Sequence, residues 1–189
     1  MKDEQRVKKI EKAMREILDA LEINKKSEAY KNTPRRIAKM YLEVFSSLYT
    51  SDSVSKITLF ENPGYRDILC LRNIPFYSMC AHHFLPMFGH VSVAYISDKK
   101  LVGLSKIPRI VKYFASRPQV QEELTKDLAD YFHVKLKANG VLVMIKARHL
   151  CMEMRGVKTQ GVETISSAIR GSFETNIDTK DEALKLMSD

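Results

Sequence analysis

The spacing of apolar residues changes along this chain, and that change constrains its fold more than any other feature. In residues 7–21 apolar side chains recur every three or four positions, which predicts an amphipathic helix. From about residue 56 they alternate instead, and short strands are predicted at residues 56–60, 68–77 and 90–96. The chain is therefore expected to begin with helices and to continue into a sheet.

A second N-terminal helix is predicted to begin near residue 33. Thr33 can cap it, and Pro34 would occupy the first helical position, where proline is tolerated. The polar residues 24–32 would form the loop before it. We interpret residues 1–50 as a helical arm that folds as one unit with a main domain at residues 51–189.

The rest of the chain completes an α+β pattern. Helices are predicted from Ser105 and after the Arg117-Pro118 break, strands over 140–151 and 162–173, and a short helix over 180–187. Strands in pairs around two adjacent helices are typical of an antiparallel sheet with its helices on one face. The sequence has no glycine-rich phosphate loop, so any nucleotide phosphates would need side chains as partners.

Composition favours a cytoplasmic protein that contacts no membrane. No apolar stretch follows the charged N-terminal residues, and the longest aliphatic run, residues 141–145, is too short to cross a bilayer. Three cysteines without a dense spacing pattern argue against a disulfide framework. The net charge is +8, and residues 1–40 hold 12 Lys and Arg against 7 Asp and Glu. A solvated charged face explains this excess, and an anionic ligand or a nucleic acid is the alternative.

Two short clusters contain residues that bind metals. Cys80-Ala81-His82-His83 has the C-x-x-H spacing that lets two side chains of one turn reach the same ion. His149 and Cys151 lie two apart in a predicted strand, so they would share a face. If the clusters meet, they offer the Cys₂His ligand set of a catalytic zinc with an open fourth position. Taken singly, these residues are also compatible with plain burial, and Cys70 is expected to be a core residue.

Several cations are candidates for an anion site. Lys106 and Arg109 lie three apart in the first turn of a predicted helix, where the helix N-terminus also favours an anion. Arg155 follows Cys151 by four residues, and Arg36 lies on the second N-terminal helix. Taken singly, these cations are typical of an exposed surface, as is the carboxylate of Glu122.

Six ordered motifs between residues 30 and 175 resemble the GTP cyclohydrolase I family. They are Thr33-Pro34-Arg35-Arg36-Ile37-Ala38, Ser78-Met79-Cys80-Ala81-His82-His83-Phe84, Gly103-Leu104-Ser105-Lys106, Arg117-Pro118-Gln119-Val120-Gln121-Glu122, His149-Leu150-Cys151 and Met154-Arg155-Gly156-Val157. The resemblance implies a tunnel fold, in which subunits pool antiparallel strands into a closed barrel, usually as a homodecamer of two pentameric rings. It also implies a Zn²⁺-dependent hydrolase that converts GTP and water into 7,8-dihydroneopterin triphosphate and formate, the first step of pterin and tetrahydrofolate biosynthesis.

The resemblance also implies a role for individual residues of the catalytic domain and the arm. The zinc ligands would be Cys80, His83 and Cys151, and zinc-activated water would attack C8 of the guanine. The catalytic residues would be His82, His149 and Ser105, with Ser105 near the ribose. Glu122 would read the guanine edge, with Gln121 beside it as a further substrate contact. The triphosphate would be held by Arg36, Lys106, Arg109 and Arg155.

Two departures from the family pattern and two alternatives remain. Position 81 is Ala where the family usually has Glu, which affects how the metal site is tuned, and Pro108 is unexpected between Lys106 and Arg109.

One alternative is another enzyme of the tunnel fold, which reduces a deazaguanine nitrile with NADPH through a cysteine and without zinc. The other is a basic module that binds nucleic acid. The paired cysteines and histidines argue against the first, and the lack of an aromatic-basic stacking pattern argues against the second.

Overall fold

The computed structural model of the chain describes residues 2–50 and 58–188. The chain divides into two units, Met1–Tyr49 and Thr50–Asp189. Its helices are α1 (Asp3–Ala20), α2 (Glu28–Val44), α3 (Lys106–Ala115), α4 (Gln121–Leu136), α5 (Leu150–Glu153), α6 (Ser172–Thr175) and α7 (Ile177–Met187). Its strands are β1 (Leu59–Glu61), β2 (Ile68–Cys80), β3 (Pro86–Ile96), β4 (Lys100–Val102), β5 (Pro118–Gln119), β6 (Gly140–His149) and β7 (Thr164–Gly171). Within the described ranges no helix combines the length and apolar character that crossing a membrane requires.

The second helix of the N-terminal unit begins earlier than the sequence predicts. Ser27 caps it by accepting a hydrogen bond from the Tyr30 backbone N–H at 3.1 Å, and Pro34 lies inside the helix. Proline at this position removes the hydrogen bond to the carbonyl of Tyr30, four residues earlier. Arg15 Nη1, on α1, donates to that carbonyl at 3.5 Å. The predicted cap at Thr33 was wrong because this contact between helices compensates for the bond that Pro34 cannot make.

The main domain is built on a five-stranded sheet with the order β5-β2-β3-β6-β7. Strands β2, β3, β6 and β7 are antiparallel to their neighbours, and the short β5 runs parallel to β2. The antiparallel α+β arrangement is therefore confirmed. Strands β1 and β4 form a separate antiparallel pair. Of the strand predicted at residues 56–60, positions 56 and 57 lie outside the described residues, and β1 begins at Leu59.

Helices pack against both faces of the large sheet. Val93 and Val143 are buried on the face that packs against α3 and α4. The adjacent residues Ala94 and Leu142 point the opposite way, as successive strand residues do, and pack with Met187 of α7. The prediction of helices on one face was wrong in this respect, because the short C-terminal helix α7 packs against part of the second face.

Strand β2 contains a bulge. Between Leu71 and Ile74 the pairing with β3 shifts, so Arg72 and Asn73 together face the single Ser92. Asn73 has φ of 56°, in the left-handed region that asparagine tolerates better than most residues. From Ile74 to the end of β2 every second side chain is buried.

Candidate metal centre and active site

Three side chains with metal-binding atoms lie together near one end of the large sheet. The ligand atoms of Cys80, His83 and Cys151 all lie within 4.8 Å of one another. Cys80 is buried, Cys151 is half-buried and His83 is exposed. Zinc binds cysteine sulfur at about 2.3 Å and histidine nitrogen at about 2.0–2.1 Å, so small side-chain rotations would bring all three atoms onto one ion. The donor set and its spacing therefore fit a zinc site.

The backbone holds the turn that carries His82 and His83. The Cys80 N–H donates to Leu85 O at 2.9 Å, and the Phe84 N–H donates to Cys80 O at 2.8 Å. The Ala81 N–H donates to Gln119 O at 3.1 Å, which ties the turn to β5. The methyl side chain of Ala81 brings no carboxylate to the metal-type residues.

A close approach of β6 to β3 helps to bring the second cluster to the first. Gly89 pairs with Ala147, and a Cβ at position 89 would lie 2.0 Å from Lys146 O. Such a contact is impossible, so glycine is required there. Two residues further along the ladder, His149 pairs with Met87 and ends β6.

Cys151 lies in the short helix α5 and not in a strand, contrary to the prediction of a strand over 140–151. Arg148 and Glu153 explain the change of direction. Arg148 Nε and Nη2 donate to the two carboxylate oxygens of Glu153 at 2.8 and 2.6 Å. This bidentate pair closes α5 against the end of β6, and the Arg148 guanidinium lowers the pKa of Glu153. Sequence reasoning missed Glu153, since only its near-complete burial distinguishes it from a surface carboxylate.

The surroundings of Cys151 raise the pKa of its thiol above the usual value. Burial raises its pKa, and Cys80 raises it further by hydrogen bonding and by charge, whereas the positive charge of Arg155 acts in the opposite direction. Metal binding needs the thiolate, so it would release protons and weaken in acid.

His149 lies against the start of α4. Its Nε2 is 2.8 Å from Gln121 Oε1. Burial lowers the pKa of His149, and the negative charge of the exposed Glu122 opposes that shift. A histidine that is neutral near pH 7 can both accept and return a proton.

Arg155 contacts the exposed histidine of the three metal-type residues. Its Nη1 donates to His83 Nε2 at 2.7 Å. The neighbouring His82 ring is edge-on to that of His83, with the ring centroids 6.3 Å apart. Of the four predicted triphosphate ligands, Arg155 is therefore in direct contact with the metal-type cluster.

The other predicted substrate and catalytic residues lie on separate elements. Ser105 precedes the first residue of α3, and Lys106 and Arg109 lie in its first turn beside Pro108. Arg36 lies on α2, with its Nη2 3.9 Å from Glu28 Oε1. Their roles stay predictions.

Gln121 and Cys70 have surroundings that the sequence does not reveal. Gln121 is buried, and its side-chain amide bonds to β6 and β7 as well as to His149. Cys70 is half-buried, and its thiol donates to Leu186 O at 3.9 Å on the α7 side of the sheet.

Sequence comparisons with known proteins identify one family. A sequence model described as GTP cyclohydrolase I matches residues 10–188. A protein named GTP cyclohydrolase 1 from Carboxydothermus hydrogenoformans is 47% identical over 95% of this chain and 93% of its own length. One of the same name from Aquifex aeolicus is 46% identical over 95% of each chain. Among solved structures, the apo form of the archaeosine synthase QueF-Like has a TM-score of 0.48 at 21% identity, over 57% of this chain and 97% of that chain.

Proposed function

Because this chain belongs to the GTP cyclohydrolase I family, we propose that Cys80, His83 and Cys151 hold the zinc ion of its active site. The chain is a GTP cyclohydrolase, and GTP is its substrate. We further propose that the products are 7,8-dihydroneopterin triphosphate and formate, which lead into pterin and tetrahydrofolate biosynthesis.

One observation carries the proposal for the metal. Two thiols and an imidazole from two separate segments have their ligand atoms within 4.8 Å of one another. Cys₂His is the ligand set of catalytic zinc sites that keep a fourth position open. When bound, zinc acts as a Lewis acid and lowers the pKa of a water molecule to about 7.

The protein's own proton transfers would come from His149 and His82. A proton on N7 makes C8 of guanine a better electrophile for water, and His149, two residues before the proposed ligand Cys151, has its ring held by Gln121. Addition of water at C8 first opens the imidazole ring, and a second hydrolysis then releases C8 as formate. His82 would serve a later proton transfer, and Ser105 would contact the ribose during its rearrangement.

The remaining proposed contacts recognise GTP. The Glu122 carboxylate accepts from guanine N1–H and the 2-amino group together, a pair of donors that adenine does not offer. The triphosphate would be held by Arg36, Lys106, Arg109 and Arg155. Guanidinium and ammonium groups are suited to this task in a chain without a phosphate loop.

The same family membership supports a closed oligomer. Within the described part of the chain, β7 pairs only with β6, and the outer edge of β2 pairs with β5 only at Met79 and Cys80. Exposed edges of this length invite pairing with another chain. We propose that neighbouring subunits join these edges into a barrel, as a decamer of two pentameric rings, with residues 1–50 as an arm and 51–189 as the catalytic domain.

The reaction is tested by incubating the purified, zinc-loaded protein with GTP. One formate should appear for each GTP consumed, together with a pterin that fluoresces after oxidation. ATP in place of GTP should give neither product, and a zinc chelator should abolish both. Consumption of GTP without formate would overturn the proposed reaction.

A further inference from the structure

We propose that Gln121 is a positioning residue that sets the tautomer of His149. It holds the imidazole proton on Nε2, so Nδ1 is the nitrogen that exchanges protons with substrate. This inference deepens the proposed function and rests on it for the catalytic role of His149. The tautomer itself follows from hydrogen bonds within the protein.

Hydrogen bonds to two backbone carbonyls fix the orientation of the Gln121 amide. Its Nε2 lies 3.1 Å from Ile145 O on β6 and 3.0 Å from Thr164 O on β7. Backbone carbonyls only accept hydrogen bonds, so the NH₂ end of the amide must face them. A flipped amide would point its oxygen at two carbonyl oxygens, which excludes the ambiguity that often affects glutamine side chains.

The hydroxyl groups around this amide agree with that orientation. Gln121 Nε2 also lies 2.9 Å from Ser166 Oγ. Thr125 Oγ1 donates its single proton to Gln121 O at 2.7 Å and lies 2.7 Å from Ser166 Oγ. Ser166 must therefore donate to Thr125, which leaves its lone pairs to accept from Gln121. Every donor in this ring of hydrogen bonds has an acceptor.

The orientation of the Gln121 amide determines which ring nitrogen of His149 carries the proton. With its NH₂ end directed at the two carbonyls, Gln121 presents Oε1 to His149 Nε2 at 2.8 Å. An amide oxygen only accepts, so Nε2 must carry a hydrogen. A neutral imidazole has one N–H, and its lone pair is therefore on Nδ1. The same contact suits the protonated ring, so Gln121 can hold His149 unchanged while Nδ1 gains and loses its proton.

This assignment changes the role predicted for Gln121 from the sequence. The side chain is 1% exposed, and both ends of its amide are already bonded within the protein. It is therefore not free to contact the base. In this proposal Glu122, its exposed neighbour, is the carboxylate that reads guanine without help from the Gln121 side chain.

The tautomer can be observed directly in the zinc-loaded wild-type protein. In protein labelled with ¹⁵N-histidine, a ring nitrogen that bears a proton and one that bears a lone pair resonate far apart. The chain has five histidines, and a His149→Asn variant identifies the signals of His149. We expect Nε2 to be the protonated nitrogen of the neutral ring, by about tenfold or more over the other tautomer. A neutral ring protonated on Nδ1 would overturn the proposal, whatever the activity of the protein.

A pair of matched variants then tests positioning against a merely structural role. Gln121→Met removes the acceptor for His149, whereas Gln119→Met makes the same change at a glutamine that is also 1% exposed and whose amide bonds to Ser78 and Phe114. Gln121→Met should populate both tautomers and lower kcat about tenfold or more with little change in KM. Gln119→Met should keep the wild-type tautomer.

The results of these experiments distinguish the positioning role of Gln121 from the proposed reaction with GTP. A raised KM with unchanged kcat and an unchanged tautomer in Gln121→Met would overturn positioning and return Gln121 to substrate binding. An equal shift of tautomer in Gln119→Met would also overturn it, because the effect would then come from general loosening. If the wild type carries the Nε2 proton but produces no formate from GTP, the proposed reaction fails and the tautomer assignment stands.

Discussion

The sulfur atoms of Cys80 and Cys151 lie within 4.8 Å of each other, although one residue ends β2 and the other lies in α5. The antiparallel ladder explains this proximity. Strand β3 pairs with both β2 and β6, so the end of β2 and the end of β6 lie on either side of the start of β3.

Without metal, Cys80 and Cys151 should oxidise to a disulfide. Their sulfur atoms are close enough for small rotations to join them, whereas Cys70 lies on the side of the sheet that packs against α7. Mass spectrometry of metal-stripped protein should show a loss of two hydrogens that reductant reverses, with Cys70 still alkylatable. If Cys80 and Cys151 both stay free under oxidising conditions, the proposal that they bind the same ion would be contradicted.

The three site histidines should separate into one ligand and two acid–base groups. His83→Ser should lose both zinc and turnover, because His83 is the imidazole of the cluster. His82→Ser and His149→Ser should keep about one zinc per subunit and slow catalysis by about 10²-fold or more. Metal analysis with single-turnover absorbance measures both properties.

The two acid–base histidines should also differ from each other. His149→Ser should block the first hydrolysis, and His82→Ser should accumulate a ring-opened intermediate. Loss of zinc from His82→Ser with zinc retained in His83→Ser would reverse the assignment.

Glu122→Ala should weaken GTP binding and leave the zinc content at the wild-type level. Loss of a bidentate contact to a base costs about 1–3 kcal/mol, by analogy with base recognition in nucleic acids. Glu123→Ala is the matched control, since it removes an adjacent exposed carboxylate from the same first turn of α4. Calorimetry with GTP measures both variants. Equal affinities for the two would show that Glu122 is an ordinary surface charge.

Asp130 should stabilise the edge of the sheet in a pH-dependent way. Its Oδ1 accepts from Arg170 Nε on β7 at 2.6 Å, and this bond is the main reason that the pKa of Asp130 lies below its usual value. The stabilisation is therefore complete above the unfolded-state pKa of about 3.9 and is lost as pH falls through the lower folded-state pKa.

Asp130→Asn tests this pH dependence. The carboxylate is partly exposed, so the variant should lose less than about 1 kcal/mol at pH 7. Urea unfolding at neutral and at acidic pH measures the difference, which should shrink in acid. A difference that persists unchanged in acid would mean that packing, and not the ion pair, is responsible.

In solution the chain should form a large homo-oligomer. The outer edges of β2 and β7 need partners, and a closed ring of subunits would supply them. Light scattering at assay concentrations measures the mass. A stable monomer that retains activity would contradict the barrel.

The sequence predicted the elements of the main domain well because their signals are local. Alternating and helical spacing located the four long strands and helices α3 and α4, and the two Cys/His clusters marked the residues that the sheet brings together. The failures depend on individual side-chain contacts that the spacing of apolar residues does not encode. Arg15 satisfies the carbonyl that Pro34 frees, and Arg148 turns the chain into α5 through Glu153. Residue type alone does not show that either arginine makes its contact.

Gln121 illustrates the same limit within the site. Its place beside Glu122 suggested a contact with substrate, but its amide bonds to carbonyls of β6 and β7 and to His149. Those residues follow it by more than twenty positions and meet it only after the sheet has formed. These contacts with β6, β7 and His149 could not be predicted from residue type and motif, and the substrate contact of Gln121 stays a prediction.

The bulge at Arg72 and Asn73 determines where β2 tolerates a change in chain length. The two residues share one partner on β3, so deleting Asn73 would restore regular pairing and leave every other side chain of β2 on its present side. A one-residue deletion between Pro75 and Met79 would instead change the register of β2 against β3. Either the side chains between the bulge and the deletion would move to the opposite face of the sheet, or Cys80 would lose its present position beside β3. We therefore expect insertions and deletions in this strand, whether natural or engineered, to occur at the bulge.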